Sequence, residues 1–308
     1  MRPSAVASAL FMVCVLTATS TLRAADPPMV SDASKVTPLN KEGTVLLDTA
    51  GKRLILKGEV CLREGLLEML ACLKQTKEHE AILRVETKAQ VVHAGLLALG
   101  AESGQPVQFI PDYQPATGQQ IDIFLNWTDK DGKPQREPAQ TWVRNATRRY
   151  FVEKLDKLPQ GVPIEDRTEL RYDEKNKELF WYGPMTAEQR DTWLKPTEDA
   201  AYRKAVNSIF DRTQIRPMTA NWVFAGSGFT TDEKTGKKYY NAESGDLICV
   251  ANFTTATLDL AISSSASNEG LDYEAWTERI PPVGTPVEIE LIPVKGAKKK
   301  AAPKKRGI

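Results

Sequence analysis

The sequence predicts an α+β protein: a mixed or antiparallel sheet with a few short helices, plus a small inserted β-hairpin/two-helix subdomain. Three observations lead there. Strand-like and helix-like runs are segregated along the chain rather than strictly alternating, which disfavours a doubly wound parallel sheet. Several strand-like runs are paired around polar turns that contain glycine, as hairpins are. Between residues 150 and 217 the texture becomes helical and rich in Lys and Glu, after which β texture resumes. With 308 residues, 41% hydrophobic and 26% charged, the chain has material for one large or two modest cores.

Residues 1–24 have the make-up of a secretory signal. Arg2 is the positive start, "AVASALFMVCVLTA" the apolar stretch, and small residues allow a cut after Ala24. The apolar run is shorter than the ~20 residues of a spanning helix, so cleavage is expected rather than anchoring. Bulky Val13 before Cys14 argues against lipid attachment. No later segment is long and apolar enough to span a bilayer, so the expected product is soluble and periplasmic or secreted.

Residues 25–43 are a Pro/Ser/Asp-rich linker, and 44–149 are the first part of the main domain. There "GTVLLDTAGKRLILKGEV" reads as a hairpin turning at Gly51. "EGLLEMLACL" has Leu66, Leu70 and Leu73 at helical spacing and is expected to be a short amphipathic helix. "AILRVETK" is a strand, and "AQVVHAGLLALGAESGQP" a second helix that Gly100 ends. "QQIDIFLNWTDKDGKPQRE" alternates as a hairpin does.

The inserted unit, 150–217, starts with a hairpin in "ELRYDEKNKELFWYG". Two helices follow, one begun at Thr186 with Glu188 and Gln189 behind it, the other opened by Pro196. Leu170, Phe180, Trp181, Trp193, Tyr202, Ile209 and Phe210 are its expected core. Residues 218–294 return to β texture. The tail 295–308, "KGAKKKAAPKKRGI", carries seven basic residues and no acid, so a chain of net charge +1 has an acidic body. Such a run buries too little apolar surface to fold. It suits an anionic envelope surface or polymer, or serves only for solubility. No nucleic-acid motif and no cofactor motif is present.

The sharpest polar feature is "KEHE", Lys77, Glu78, His79 and Glu80. Imidazole beside carboxylate binds zinc or moves protons near neutral pH. His93 would join if the intervening strand turns the chain back, and Glu64, Glu68 and Cys72 would share one face of the expected helix. The competing reading is structural: the group braces its loop by hydrogen bonds, with His79 at the centre, and His93 is a packed core residue. "HEAIL" lacks the second histidine of H-E-x-x-H.

Removing the signal leaves Cys61, Cys72 and Cys249. In an oxidising compartment they allow one disulfide, for which Cys61–Cys72 is the first choice, ahead of two buried thiols and a redox-active dithiol. Cys249, between Ile248 and Val250, is expected to be a buried small hydrophobe. "DKDGK" has Gln140 where a calcium loop needs glutamate, and a hairpin turn explains it better. "AGSGF" lacks the G-x-S-x-G pattern, and its glycines suit a bend beside Trp222 and Phe229.

"GLLEMLACLKQTKEHEAIL", "VHAGLLALGAESGQPVQF", "WVFAGSGF", "SGDLICVANF" and "PPVGTPVEIELIP" occur in an order that resembles the YdjY-domain proteins, exported bacterial proteins of unknown function. The resemblance covers about Thr44 to Arg144 and Asn221 to Pro293, and leaves out the inserted unit. It implies a fold neighbourhood and export, not a reaction. Relatives are sometimes labelled ferredoxin-like, but the mature cysteines are too widely spaced to hold a cubane cluster. The expected role is a non-catalytic binding or structural module of the envelope. The alternatives are a metal-assisted hydrolase using His79, Glu80 and His93, and a thiol–disulfide redox protein using Cys61 and Cys72.

Overall fold

The structure, a computed structural model, describes residues 36–165, 168–262 and 273–295. The expected signal (1–24), the linker up to residue 35 and the basic tail from residue 296 lie outside the described residues.

In chain order the first part contains β1 (Thr37–Pro38), β2 (Val45–Asp48), β3 (Arg53–Val60), β4 (Met69–Leu73), β5 (Ala81–Val85) and helix α1 (Ala89–Ala98). Next come β6 (Gln120–Thr128), β7 (Pro134–Pro138), a 3-10 turn at Ala139–Trp142 and β8 (Val143–Asn145). The middle holds β9 (Tyr150–Lys154), β10 (Arg171–Asp173), β11 (Glu178–Tyr182), α2 (Ala187–Leu194) and α3 (Ala200–Thr213). The last part has β12 (Trp222–Val223), β13 (Phe229–Thr231), β14 (Lys238–Tyr240), β15 (Ile248–Cys249), β16 (Asp259–Leu260), β17 (Tyr273–Ala275) and β18 (Pro286–Pro293). The class is α+β with a mixed, largely antiparallel sheet and three short helices, as the segregated runs imply.

The main sheet runs β15-β4-β5-β3-β18-β6-β12-β16. Every pair on this path is antiparallel except β4–β5, which is parallel. The two ends of the path meet. Cys249 N donates to Leu258 O (2.9 Å), Leu258 N donates to Leu247 O (3.0 Å), and Ile248 bridges Leu258 in parallel. The path therefore closes into a ring, and closure removes the edges that an open sheet leaves unpaired. β6 shows the period-two pattern expected of a strand with one dry face: Ile121, Ile123 and Leu125 are buried, while Asp122, Phe124 and Asn126 are only partly so. α1 packs Val92 and Leu96 into the same core. A β-carbon at Gly95 would fall 2.5 Å from Leu54 Cδ1, so the bare backbone lets the helix sit close to β3. Gly100, at φ +81°, follows this helix where the sequence places a stop.

One expected helix is a strand. "EGLLEMLACL" contains β4, and all five residues Met69–Leu73 are buried. An amphipathic helix needs a polar face, and this stretch has none to offer because β4 lies between β5 and β15. A strand enclosed in this way reads as a continuous apolar run. Leu66, Leu70 and Leu73 match helical spacing by coincidence, and Glu64, Glu68 and Cys72 do not form one helical face.

β9, β10 and β11 form a separate antiparallel sheet in the order β10-β11-β9. α2 and α3 pack with it around Phe151, Leu170, Leu179, Trp181, Tyr202 and Ile209, while Trp193 and Phe210 are partly buried at the margin. Phe180 is not in this core. It pairs with Val152 in the sheet and its ring meets that of exposed Tyr150, with centroids 6.0 Å apart. Thr186 and Gln189 make the expected reciprocal cap of α2. α3 begins later than Pro196 suggests, because Asp199 is its cap and accepts from Tyr202 N (2.8 Å).

Candidate functional site

The "KEHE" residues lie in the turn between β4 and β5, and its central side chain is Lys77. Its Nζ stands 3.0 Å from Asp246 Oδ1, 3.2 Å from Glu68 Oε2 and 3.5 Å from Glu80 Oε1, and 4.4 Å from the ring centroid of Phe253. The lysine side chain is 23% exposed and that of Asp246 only 5%. Burial alone would lower the lysine pKa, but Asp246 and Glu68 outweigh it and hold the group well above its usual range. Its carboxylate partners thus favour the charged form of Lys77. It occupies the centre of three carboxylates, where a metal ion would otherwise have to sit. Among the described residues no group of three His, Cys, Asp or Glu side chains is placed to hold a metal.

Asp246 Oδ1 makes no aligned hydrogen bond, so the lysine contact is what neutralises it. Its other oxygen accepts from Ser244 Oγ (2.9 Å) and Thr255 Oγ1. The carboxyl of Glu80 is raised above its ordinary value by burial and by neighbouring Glu68. Glu78 braces the turn separately: Oε1 accepts from Gln75 N (2.8 Å), and Oε2 pairs with Arg84 (3.1 Å), which in turn pairs with Glu59 (2.8 Å). His79, expected at the centre, is 77% exposed, and its Nε2 lies 3.7 Å from Glu80 Oε2. The bracing is real but belongs to Lys77 and Glu78, because a flexible ammonium reaches three partners where an imidazole cannot.

His93 occupies different surroundings. It is half-buried on α1, edge-on to the rings of Phe224 and Tyr240. Its Nδ1 is 2.9 Å from the Tyr240 hydroxyl, which donates to Gly226 O (3.1 Å) and neighbours Thr257 Oγ1 (3.2 Å). Burial lowers the histidine pKa and pushes Tyr240 up to about 12, so both are neutral at pH near 7. Ser227 adopts φ +50° in the expected bend, with Oγ donating to Thr255 O (2.7 Å) and accepting from Ala242 N (3.1 Å). Asp259, wholly buried, accepts from Asn252 Nδ2, Leu260 N and Phe253 N, and burial still pushes it up to about 7.

The expected Cys61–Cys72 bridge is not formed: Cys61, Cys72 and Cys249 are free thiols. The expectation took the intervening chain for a turn and helix. Instead β5 lies between them, with Cys61 N bonded to Ile82 O on one side and Cys72 opposite Arg84 on the other. The two thiols are nonetheless neighbours, although no bond joins them. Cys61 Sγ donates to Ala81 O (3.2 Å), and neighbouring Cys72, then burial, raise its pKa. Cys249 is fully buried, as its apolar neighbours imply.

Elsewhere, a cavity of about 470 Å³ opens between the start of β6, the approach to β12, the end of β16 and the start of β17, with Gln120, Val223, Ile262 and Tyr273 on its walls. Among the described residues none that lines it is charged. It had no signal in the sequence, since its walls come from four distant segments.

No curated protein and no solved structure matches the chain. The YdjY domain model matches residues 45–156 and 192–291, which span the closed sheet and both halves of the Lys77 cluster. On that match, the chain belongs to the YdjY domain family.

Proposed function

We propose that the chain is an exported, non-catalytic binding module of the bacterial envelope. The observation that carries this reading is the internal commitment of its reactive side chains beside an open cavity whose described lining residues are uncharged. Lys77 is held by three carboxylates, Glu78 by Gln75 and Arg84, and His93 by Tyr240. A cavity walled by amides, hydroxyls and small apolar groups is suited to holding a ligand rather than transforming it. Residues 150–217 are read as a subdomain, which their separate core supports; the family match leaves out only 157–191 and includes 150–156 and 192–217, so it favours an insertion shorter than the one expected. The signal-like residues 1–24 support export to the periplasm or beyond.

Cell fractionation with N-terminal sequencing of the recovered protein tests the export half. The expected product is extracytoplasmic and begins near Ala25; a cytoplasmic protein retaining Met1 would refute it. The hydrolase alternative gains no support, because His79 and His93 face different surroundings. A thiol–disulfide role keeps one favourable observation, the mutual proximity of the Cys61 and Cys72 thiols.

A further inference from the structure

We propose that Cys61 and Cys72 are a reversible redox site, a thiol pair that an external disulfide oxidises to an intrachain bridge. This goes beyond the binding-module reading and does not depend on it.

Packing brings both thiols to one spot. Cys61, just past the end of β3, is partly exposed, and its Sγ donates to Ala81 O (3.2 Å). Cys72, in β4, is fully buried in a small cluster that contains the same Ala81, with Met69, Cys249 and Ala256. The two thiols act on each other as hydrogen-bond partners. Cys61 holds Cys72 below its ordinary pKa against the effect of burial, helped by the Thr76 hydroxyl and the Lys77 backbone N–H. A thiolate at Cys72 therefore has donors waiting for it, and the thiolate is the form that attacks a disulfide.

The fold does not need the bridge. β3 and β4 are already held on either side of β5 by their ladders. A disulfide that the fold does not require, with one sulfur within reach of solvent, is the kind that opens and closes in the native protein.

Access assigns the roles. Cys61, as thiolate, attacks one sulfur of the external disulfide, whose S–S bond breaks, and the first thiolate leaves with a proton. Cys61 is then in a mixed disulfide. Cys72, as thiolate, attacks Cys61 Sγ, the mixed disulfide breaks, and the second external thiol leaves. Two protein thiols are oxidised and one external disulfide is reduced to two thiols. Without such an oxidant nothing takes up the two electrons, and all three thiols persist. Cys249 shares the cluster but stays out of the exchange, because complete burial holds its pKa well above the ordinary value.

The test exposes the reduced, full mature chain to oxidised glutathione under native conditions, followed by alkylation, intact mass and peptide mapping. The wild type should lose two hydrogens, retain no glutathione and give one cross-linked peptide pair, Cys61 with Cys72. Dithiothreitol should restore both thiols without unfolding the protein. Cys72→Ala should stop at a stable glutathione adduct on Cys61. Cys61→Ser should react roughly tenfold more slowly or worse, since its remaining thiols are enclosed. Cys249→Ala should behave as wild type. Melting curves of each variant confirm that it is folded. The redox site is overturned if the wild type keeps glutathione as Cys72→Ala does, if it does not react, or if the bridge joins Cys249. It is equally overturned if Cys61→Ser reacts as fast as wild type. Any of these failures leaves the binding module untouched.

Discussion

Replacing Lys77 by Met tests the clamp most directly, because the thioether chain keeps most of the volume and removes only the charge. In the native protein one ammonium lies within 3.5 Å of oxygens from Asp246, Glu68 and Glu80. Without it three carboxylates share a site with little water. Removing one partner of a buried ion pair costs ~3–5 kcal/mol. Glu80 and the lysine are each about one-fifth exposed, so solvent screens part of the loss and the low end applies, about 3 kcal/mol. For a domain of this size that is a fall of roughly 6–12 °C in melting temperature.

The loss should also depend on pH in a determined direction. Glu80 already has a folded-state pKa above its ordinary value, so its contribution favours the fold at low pH and is lost as pH rises through that raised pKa. Removing Lys77 raises it further, since a cation that favoured the ionised form is gone. The variant should therefore lose more stability at about pH 8 than at about pH 5. In the wild type, the raised Lys77 pKa gives stability that is present below the ordinary lysine value and declines as pH climbs above it. Thermal and urea melts of both proteins at the two pH values decide the matter. A variant within about 1 kcal/mol of wild type at about pH 8, or one that loses more at about pH 5, would refute the clamp.

The other outcomes concern residues that look reactive in the sequence. His79→Ala should leave stability within about 0.5 kcal/mol of wild type, because the side chain is mostly in solvent; a drop comparable with that of Lys77→Met would restore the histidine to the centre of the turn. Thiol titration of the native protein should find one accessible group, Cys61, and three after denaturation, since Cys72 and Cys249 are fully buried. Fewer than three thiols in the denatured, unreduced protein would show that a bridge forms.

What the sequence made legible was local. The β2–β3 and β6–β7 hairpins follow from alternation around a turn, and α1 from its spacing and Gly100. What it hid was set by distant partners. β4 reads as a helix because nothing in "MLACL" reveals that β5 and β15 will cover it on both sides. The inference that "KEHE" braces its turn was sound about the turn and wrong about the residue, because the partner that selects Lys77 is Asp246, far along the chain. Asp246 had a weak signal, its place after Ser244 and Gly245 in a block resembling relatives, but no local pattern joins it to Lys77.

The position of the clamp explains why so many ionisable groups gather there without forming a reactive site. The sheet closes through short strands, β15 and β16, whose few ladder bonds are a weak seam on their own. The chain reinforces that seam from outside the ladder. Glu68 O accepts from both Val250 N (2.8 Å) and Ala251 N (3.1 Å), and Asp246 O accepts from Thr257 N (3.0 Å). Lys77 then joins the β4–β5 turn to Asp246 by charge and to Phe253 by its ring. The two pieces approach closely because Gly245 takes φ +121°; a β-carbon there would fall 2.5 Å from Thr76 Oγ1. Backbone bonds alone would let the seam slide, since any strand can pair with any other in several registers. Lys77 is only partly exposed among three carboxylates, and a shifted register would pull these charges apart. The polar cluster thus sits where it ties the β4–β5 turn to the segment that closes the sheet.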